Sequence, residues 1–94
     1  MQATYSLKIS HSAAQDLASI YEYGFVTWGE DRADLYYNAL SDQLRQICLN
    51  PFLYATVDDI RSGYRRCVFG AHCIYFRVSG TTVEIMAVIG RQAY

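Results

Sequence analysis

The chain has 94 residues, of which 52% are hydrophobic and 18% are charged. That length suits one domain, because dividing it would leave neither half with a hydrophobic core of its own. The N-terminal stretch MQATYSLKIS lacks the basic start and apolar run of a signal peptide, and no apolar stretch approaches the ~20 residues of a membrane span. We therefore expect a single cytoplasmic domain over residues 1–94, without a membrane partner.

The formal net charge of −1 conceals opposite charges in the two halves of the chain. Residues 1–59 contain three basic and eight acidic residues, whereas residues 60–94 contain five arginines and one acid, Glu84. A general nucleic-acid-binding domain is clearly basic, so this balance argues against RNA or DNA as the main partner. Arginine is well suited to pairing with carboxylates and phosphates, and its concentration in the second half indicates a binding surface.

The three cysteines are an odd number and lack the paired spacings of a zinc site. Cys67 and Cys73 flank a predicted turn, but pairing them would depend on a strand register that the sequence leaves open. We expect reduced, packed thiols, as is usual in cytoplasmic proteins, and neither a metal nor another cofactor.

The first half of the chain predicts a strand and an amphipathic helix. In TYSLKIS, apolar Tyr5, Leu7 and Ile9 alternate with polar residues, which is typical of a half-buried strand. Ser12 with Gln15 resembles a capping box, and Ser10 is an alternative N-cap. The apolar stripe of the helix, which ends at Gly29, consists of Ala14, Leu17, Tyr21, Phe25 and Trp28.

A second helix is predicted from Asp31 to Leu49, ended by Asn50 and Pro51. The short connection at Gly29 predicts an antiparallel helical hairpin. The following segment PFLYATVDD has the pattern of a loop. Three strands are then predicted at 63–69, 72–79 and 82–89, with turns at 70–71 and 79–81.

The predicted fold class is α+β: an N-terminal strand, an antiparallel helical hairpin and a three-stranded antiparallel meander, with the helices on one sheet face. The expected core contains Leu17, Leu40, Leu44, Ile74, Phe76 and Ile85.

No catalytic arrangement can be assigned from the sequence. A nucleolytic site would need His72, His11, Tyr75 or Tyr94, but neither histidine has a sequence-level partner. His72 lies in or beside a hairpin turn, where we expect it to be exposed. The alternation of a strand directs the neighbouring Arg65 and Arg66 to opposite faces of the sheet.

Nine tyrosines form the other unusual feature of the composition. Most fit the helix stripes, and their excess suits a large, partly apolar groove for a partner helix or strand.

Several segments match one known family. These are SHSAAQDLASIYEY, TWGEDRADLYYNAL, NPFL, DDIRSGYRRCVFGAHCIYFRV and VEIMAVIGRQ. With them the chain resembles, over nearly its whole length, the ParE branch of the RelE/ParE superfamily of bacterial toxin–antitoxin toxins. The run from Asp59 to Val78 is the most specific part.

The resemblance implies a toxin that inhibits DNA gyrase without performing a chemical step. It also implies a ParD-like antitoxin whose C-terminal segment folds over the hairpin and sheet, in a complex that can be a higher-order hetero-oligomer. The late arginines are the chain's only concentrated positive charge, so we expect Arg91 to bind the target, followed by Arg65 and Arg66 and then Arg77. From the excess of aromatic residues we expect the antitoxin to bind Tyr21, Trp28, Tyr36, Tyr64 and Tyr75.

Two alternatives remain open at this point. The tail GRQAY, with Arg91 and Tyr94, would suit a RelE-like mRNA endonuclease, although the near-neutral charge and single lysine favour ParE. The second alternative is a binding or structural module that has lost toxicity.

Overall fold

The computed structural model describes residues 4–90, which form a four-stranded sheet with two helices on one face. The elements are β1 (Ser6–Ile9), α1 (His11–Trp28), α2 (Glu30–Leu49), a short 3-10 helix (Pro51–Leu53), β2 (Tyr64–Phe69), β3 (His72–Ser79) and β4 (Thr82–Gly90). The predicted α+β class and element order are confirmed. Over this part of the chain, neither helix is long and apolar enough to cross a membrane.

Ser10 is the residue that begins α1. Its backbone N–H donates to the Ile85 carbonyl, which holds it at the end of β1, and its Oγ accepts a hydrogen bond from the Ala13 N–H at 3.0 Å. The capping box of Ser12 and Gln15 is wrong, because Ser12 already lies inside the helix. An N-cap hydroxyl satisfies one of the free amides of the first turn, and only Ser10 stands in position to do so.

A single residue, Gly29, separates the two helices. Its φ of +96° lies in a region that side chains avoid, so glycine allows the chain to reverse here. The two helices pack against each other at Gly24, where an added Cβ would meet the Ala33 side chain at 3.5 Å, an ordinary van der Waals contact.

The predicted apolar stripe of α1 is only partly correct. Ala13 and Leu17 are buried, but Ala14 is exposed and Phe25 and Trp28 are 47% and 58% exposed. The first turns of α1 lie over the sheet, where the Asp16 carboxylate accepts from the Val88 N–H. Farther along α1, Tyr21 and Gly24 pack against α2, while the outer apolar residues of the last turns stay exposed.

The strand order is β1-β4-β3-β2. Strands β2, β3 and β4 form the predicted antiparallel meander, while β1 runs parallel to β4, with Ser6 opposite Thr82. The sheet is therefore mixed. The helical hairpin returns the chain to the start of β1, where the Tyr5 N–H donates to the Cys48 carbonyl, and the segment after α2 crosses to β2 at the opposite edge of the sheet. The meander can then place β4 beside β1 in the same direction.

The core lies between the helices and one face of the sheet. All six residues predicted for it are buried, with Leu40, Ile74, Phe76 and Ile85 fully so. The covered face also carries Cys67, whereas Cys73 is paired with Val68 and points to the opposite face. Cys67 and Cys73 therefore cannot form a disulfide in this register, and both are free thiols.

The segment predicted as a loop after α2 has more structure than expected. Besides its 3-10 helix, it runs beside β2, where Thr56 bridges to Arg65 and the Arg66 N–H donates to the Ala55 carbonyl. Val57 is buried at 5% exposure. This segment thus covers the outer edge of β2 along its first half.

Candidate functional site

An apolar groove of about 820 Å³ lies between the helical hairpin and the turn that joins β2 to β3. Three of the predicted antitoxin-binding residues line it, namely Tyr21, Trp28 and Tyr36. Its other lining residues include Ile20, Tyr23, Arg32, Leu35, Tyr37, Ala71 and His72. Among the described residues that line the groove, Arg32 carries the only formal charge apart from any on His72, and none is acidic.

The floor of the groove is organised around the Tyr36 hydroxyl. Its oxygen lies 2.6 Å from His72 Nδ1 and accepts a hydrogen bond from the Ala71 N–H at 3.3 Å. His72 is half-buried, so the expectation of an exposed histidine is wrong. The reason is that β3 begins at His72, and its ring packs on Tyr36 instead of pointing to solvent. Burial lowers the pKa of His72, which favours the neutral ring.

Tyr21 is also satisfied within the protein. Its hydroxyl donates to Asp34 Oδ1 at 2.6 Å, and this hydrogen bond raises the pKa of Tyr21 to about 12. Its ring meets Tyr37 edge-on, at 5.6 Å between centroids. Since the hydroxyls of Tyr21 and Tyr36 already have partners, the groove offers a ligand mainly apolar ring surface.

The mouth of the groove is formed by Trp28 and Arg32. The Arg32 guanidinium lies 5.1 Å from the centre of the exposed Trp28 ring, within cation–π range. The groove therefore combines an apolar floor with one positive charge at its rim.

The second surface is the sheet face opposite the helices, which we call the open sheet face. No helix covers it within residues 4–90. Its side chains alternate with those of the core: Lys8 from β1, Tyr64, Arg66 and Val68 from β2, Cys73, Tyr75 and Arg77 from β3, and Glu84 and Ile89 from β4. Tyr64 and Tyr75, predicted to bind the same partner as the groove tyrosines, lie here instead.

Two of the predicted target-binding arginines are on the open sheet face. Arg77 is neutralised by Glu84, with Nη2 at 2.8 Å and Nε at 2.9 Å from Oε1, and Lys8 Nζ lies 3.7 Å from Oε2. Arg66 is exposed, and its hydrogen bond to Tyr75 raises the pKa of the guanidinium. A further cation, Arg61, lies 5.8 Å from the centre of the Tyr64 ring.

Arg65 and Arg91 do not join this group. Arg65 points to the helix side of the sheet, as the strand alternation predicts, and donates to the Tyr54 carbonyl at 2.7 Å while lying 5.0 Å from the Phe52 ring. These contacts hold the segment after α2 against β2. Arg91 lies outside the described residues, as does Tyr94.

Sequence reasoning missed several groove residues, chiefly Arg32, Leu35 and His72. Leu35 gave one usable signal, because it is a large apolar residue that lies off the row formed by Leu40 and Leu44 on the same predicted helix. The structure leaves it 71% exposed. His72 gave none, since its contact with Tyr36 joins positions 36 residues apart. Within residues 4–90, no three side chains of the metal-binding types come together.

Solved structures identify the fold class. The chain superposes on the chromosomal ParDE TA system from P. aeruginosa with a TM-score of 0.84, at 23% identity, covering 95% of this chain and 98% of that one. It also superposes on the toxin–antitoxin complex RelBE2 from Mycobacterium tuberculosis, with a TM-score of 0.74, at 16% identity, covering 97% and 95%. The chain therefore has the fold of these two solved chains.

Sequence comparison identifies the family within that class. Residues 7–93 match the family model described as ParE toxin of type II toxin-antitoxin system, parDE. Toxin ParE1 of Caulobacter vibrioides is 34% identical over 87% of this chain and 84% of its own length, and toxin ParE1 of M. tuberculosis is 30% identical over 86% and 84%. The chain belongs to the ParE toxin family.

Proposed function

We propose that the protein inhibits DNA gyrase and is neutralised by a ParD-like antitoxin. Membership of the ParE family supports this proposal. The observation that carries it is the presence of two separate surfaces, an apolar groove and a charged open sheet face. Two such surfaces provide one place for an antitoxin and another for a target.

The groove is the proposed antitoxin site. Its rings and methyl groups suit an amphipathic segment that folds as it binds, because burial of apolar surface provides the driving force for coupled folding. Arg32 at the rim suits an acidic residue of that segment. Tyr21, Trp28 and Tyr36 remain the proposed contacts.

The open sheet face is the proposed target site, with the exposed Arg66 as its principal contact. Arg77 stays a proposed contact on sequence grounds, although Glu84 already neutralises it. Tyr64 and Tyr75 are reassigned to this face on account of their position. Arg65 is better explained by its contacts with Tyr54 and Phe52 than by target binding. Arg91 stays a proposed contact on sequence grounds. We propose no chemical step, so the protein acts by binding.

The test is a supercoiling assay with purified gyrase, followed by detection of cleaved DNA trapped by the toxin. We expect loss of supercoiling together with an increase in linear DNA, and protection when a ParD-like antitoxin is added in excess. Full supercoiling at saturating toxin would overturn the gyrase assignment. Cleavage of ribosome-bound mRNA by the same preparation would replace it with the RelE-like activity.

A further inference from the structure

The two layers of the fold carry opposite charges. Helices α1 and α2 contain six carboxylates against two arginines, whereas the strands contain four basic residues against the single acid Glu84. A polyanion is repelled by the helical layer and attracted by the sheet layer, so the charge distribution orients it toward the open sheet face.

Three cations of the open sheet face remain available for a ligand. Arg61 and Arg66 are exposed, and Lys8 makes only a long contact with Glu84, at 3.7 Å. Arg77 is not counted, because Glu84 neutralises it. Two carboxylates of the loop before β2 lie near these cations. Asp58 Oδ1 accepts a hydrogen bond from the Gly63 N–H at 2.8 Å. Asp59 is close enough to Arg66 to add to the effect of Tyr75 in raising the pKa of its guanidinium. These acids reduce the positive potential of the face without reversing it.

Two tyrosines lie beside these arginines. The Arg61 guanidinium lies 5.8 Å from the centre of the Tyr64 ring, and Tyr75 lies directly opposite Arg66 on the neighbouring strand. A guanidinium that is already positioned loses less conformational freedom when it binds a phosphate. The exposed apolar side chains Val68 and Ile89 lie on the same face and can contact sugar carbons.

The shape of the surface distinguishes a nucleic acid from a protein segment. A protein segment needs a groove or a free strand edge. The groove of this protein lies on the helix side. The strand edges, which are β1 and the half of β2 that the segment after α2 leaves uncovered, border the open sheet face and are not part of it. An open face with positioned arginines matches the regular row of phosphates along a nucleic-acid backbone.

We propose that the open sheet face binds the phosphate backbone of DNA, with Arg61 and Arg66 as the principal phosphate ligands and Lys8 as a third. The inference rests on the proposed function, because the gyrase–DNA complex supplies the DNA. It adds that this face contacts the DNA of that complex.

Direct binding to DNA tests the inference without gyrase. The full chain is titrated into a fluorescein-labelled duplex of about 20 base pairs, and anisotropy is measured from about 50 mM to 200 mM salt. Three phosphate contacts predict a log–log salt slope of about −2.7. Arg61→Ala and Arg66→Ala should each reduce the magnitude of the slope by about 1.

Matched variants identify the surface. Arg45→Ala removes the same charge from the exposed face of α2, where Arg45 pairs with Asp42, and should leave binding unchanged. Glu84→Gln releases Arg77 and should strengthen binding. Arg66→Lys keeps the charge and should restore most of the slope, which separates loss of charge from loss of fold.

Three outcomes would overturn the inference. The protein could fail to bind the duplex or bind it independently of salt, Arg45→Ala and Arg66→Ala could lose equal affinity for the duplex, or the wild type could bind single-stranded RNA of the same sequence more tightly than the duplex. The supercoiling assay separates it from the proposed function. DNA binding with the predicted variant pattern but without gyrase inhibition would refute only the gyrase target. Gyrase inhibition by a wild type that does not bind the duplex would refute only the DNA contact.

Discussion

The Tyr36 hydroxyl joins α2 to the β2–β3 turn through His72 and Ala71. Gly70 lies beside it, where an added Cβ would come within 2.9 Å of the hydroxyl oxygen, so the turn and the tyrosine fit only with glycine at this position. These contacts hold the turn in a fixed place beside the floor of the groove. A side chain at the groove floor therefore also determines where β3 begins.

We expect His72 to make stability depend on pH. Its pKa is lowered in the folded protein, so the unfolded chain binds a proton first as the pH falls below the usual value of about 6.5. The stabilisation is present above that pH and is lost as the pH falls toward the lowered folded pKa. Urea unfolding of wild type and His72→Gln at a series of pH values measures the difference.

Wild type and His72→Gln contain the same carboxylates, so the contribution of these groups to the pH dependence cancels when the two free energies of unfolding are subtracted. The gap in the free energy of unfolding should narrow, or change sign in favour of the glutamine variant, as the solution becomes acidic. A constant gap from pH 8 to pH 5 would show that burial of His72 has no such effect.

The second helix contributes one face to the core and another to the groove. One side of α2 supplies Leu40, Leu44 and Ile47 to the core, while Leu35 lies on the groove side and is 71% exposed. An exposed leucine costs the isolated protein little but gives a partner apolar surface to bury. Stability and partner binding should therefore respond to different residues of the same helix.

Leu44→Ala and Leu35→Ala form a matched pair for this prediction. We expect Leu44→Ala to lower the free energy of unfolding by about 2–5 kcal/mol, because it leaves a cavity in a core position that is 3% exposed. Leu35→Ala should change it by less than about 0.5 kcal/mol. Urea denaturation measures both.

We expect the opposite ranking of these two variants when antitoxin binding is measured instead of stability. Leu35→Ala should reduce the rise in melting temperature that a ParD-like antitoxin produces, since that rise follows the affinity. An unchanged rise in Leu35→Ala would remove the groove side of α2 from the antitoxin site.

For the whole molecule, the helices divide the surface into a groove side and an open sheet face. A ligand on one side does not have to displace a ligand on the other by direct overlap. If the groove takes the antitoxin and the sheet takes the target, the two functions should be separable by mutation. Neutralisation would then require the rest of the antitoxin to block the target, or to change the position of β3 through Tyr36 and His72.

We predict a double dissociation between Trp28→Ala and Arg66→Ala. Trp28→Ala should lose roughly 2 kcal/mol of antitoxin affinity, as is typical of a partly exposed aromatic anchor, and should inhibit gyrase normally. Arg66→Ala should bind the antitoxin normally and inhibit gyrase less. Calorimetric titration and the supercoiling assay provide the two measurements.

Val26→Ala is the control, because Val26 is an 80% exposed apolar residue of α1 that does not line the groove. It should match wild type in both assays. A Trp28→Ala protein that fails equally in both would show that the two surfaces are not independent.

The sequence alone determined the elements and their order, because apolar spacing and turn residues act locally. Alternation marked the strands, steps of three and four marked the helices, and Gly29 marked their junction. The six core residues followed, since each lies on a strongly apolar face. The resemblance to ParE toxins also required only the order of residues along the chain.

Only the tertiary structure decided how distant residues meet. It set β1 parallel to β4, because that pairing depends on where the hairpin returns the chain. It sent Tyr64 and Tyr75 to the face opposite Tyr21 and Tyr36, although composition had grouped them. It buried His72 against Tyr36, and it neutralised Arg77 with Glu84 while leaving Arg66 exposed. Local patterns record which residues favour burial, whereas the partner of a charge or ring depends on strand register and helix packing across the whole chain.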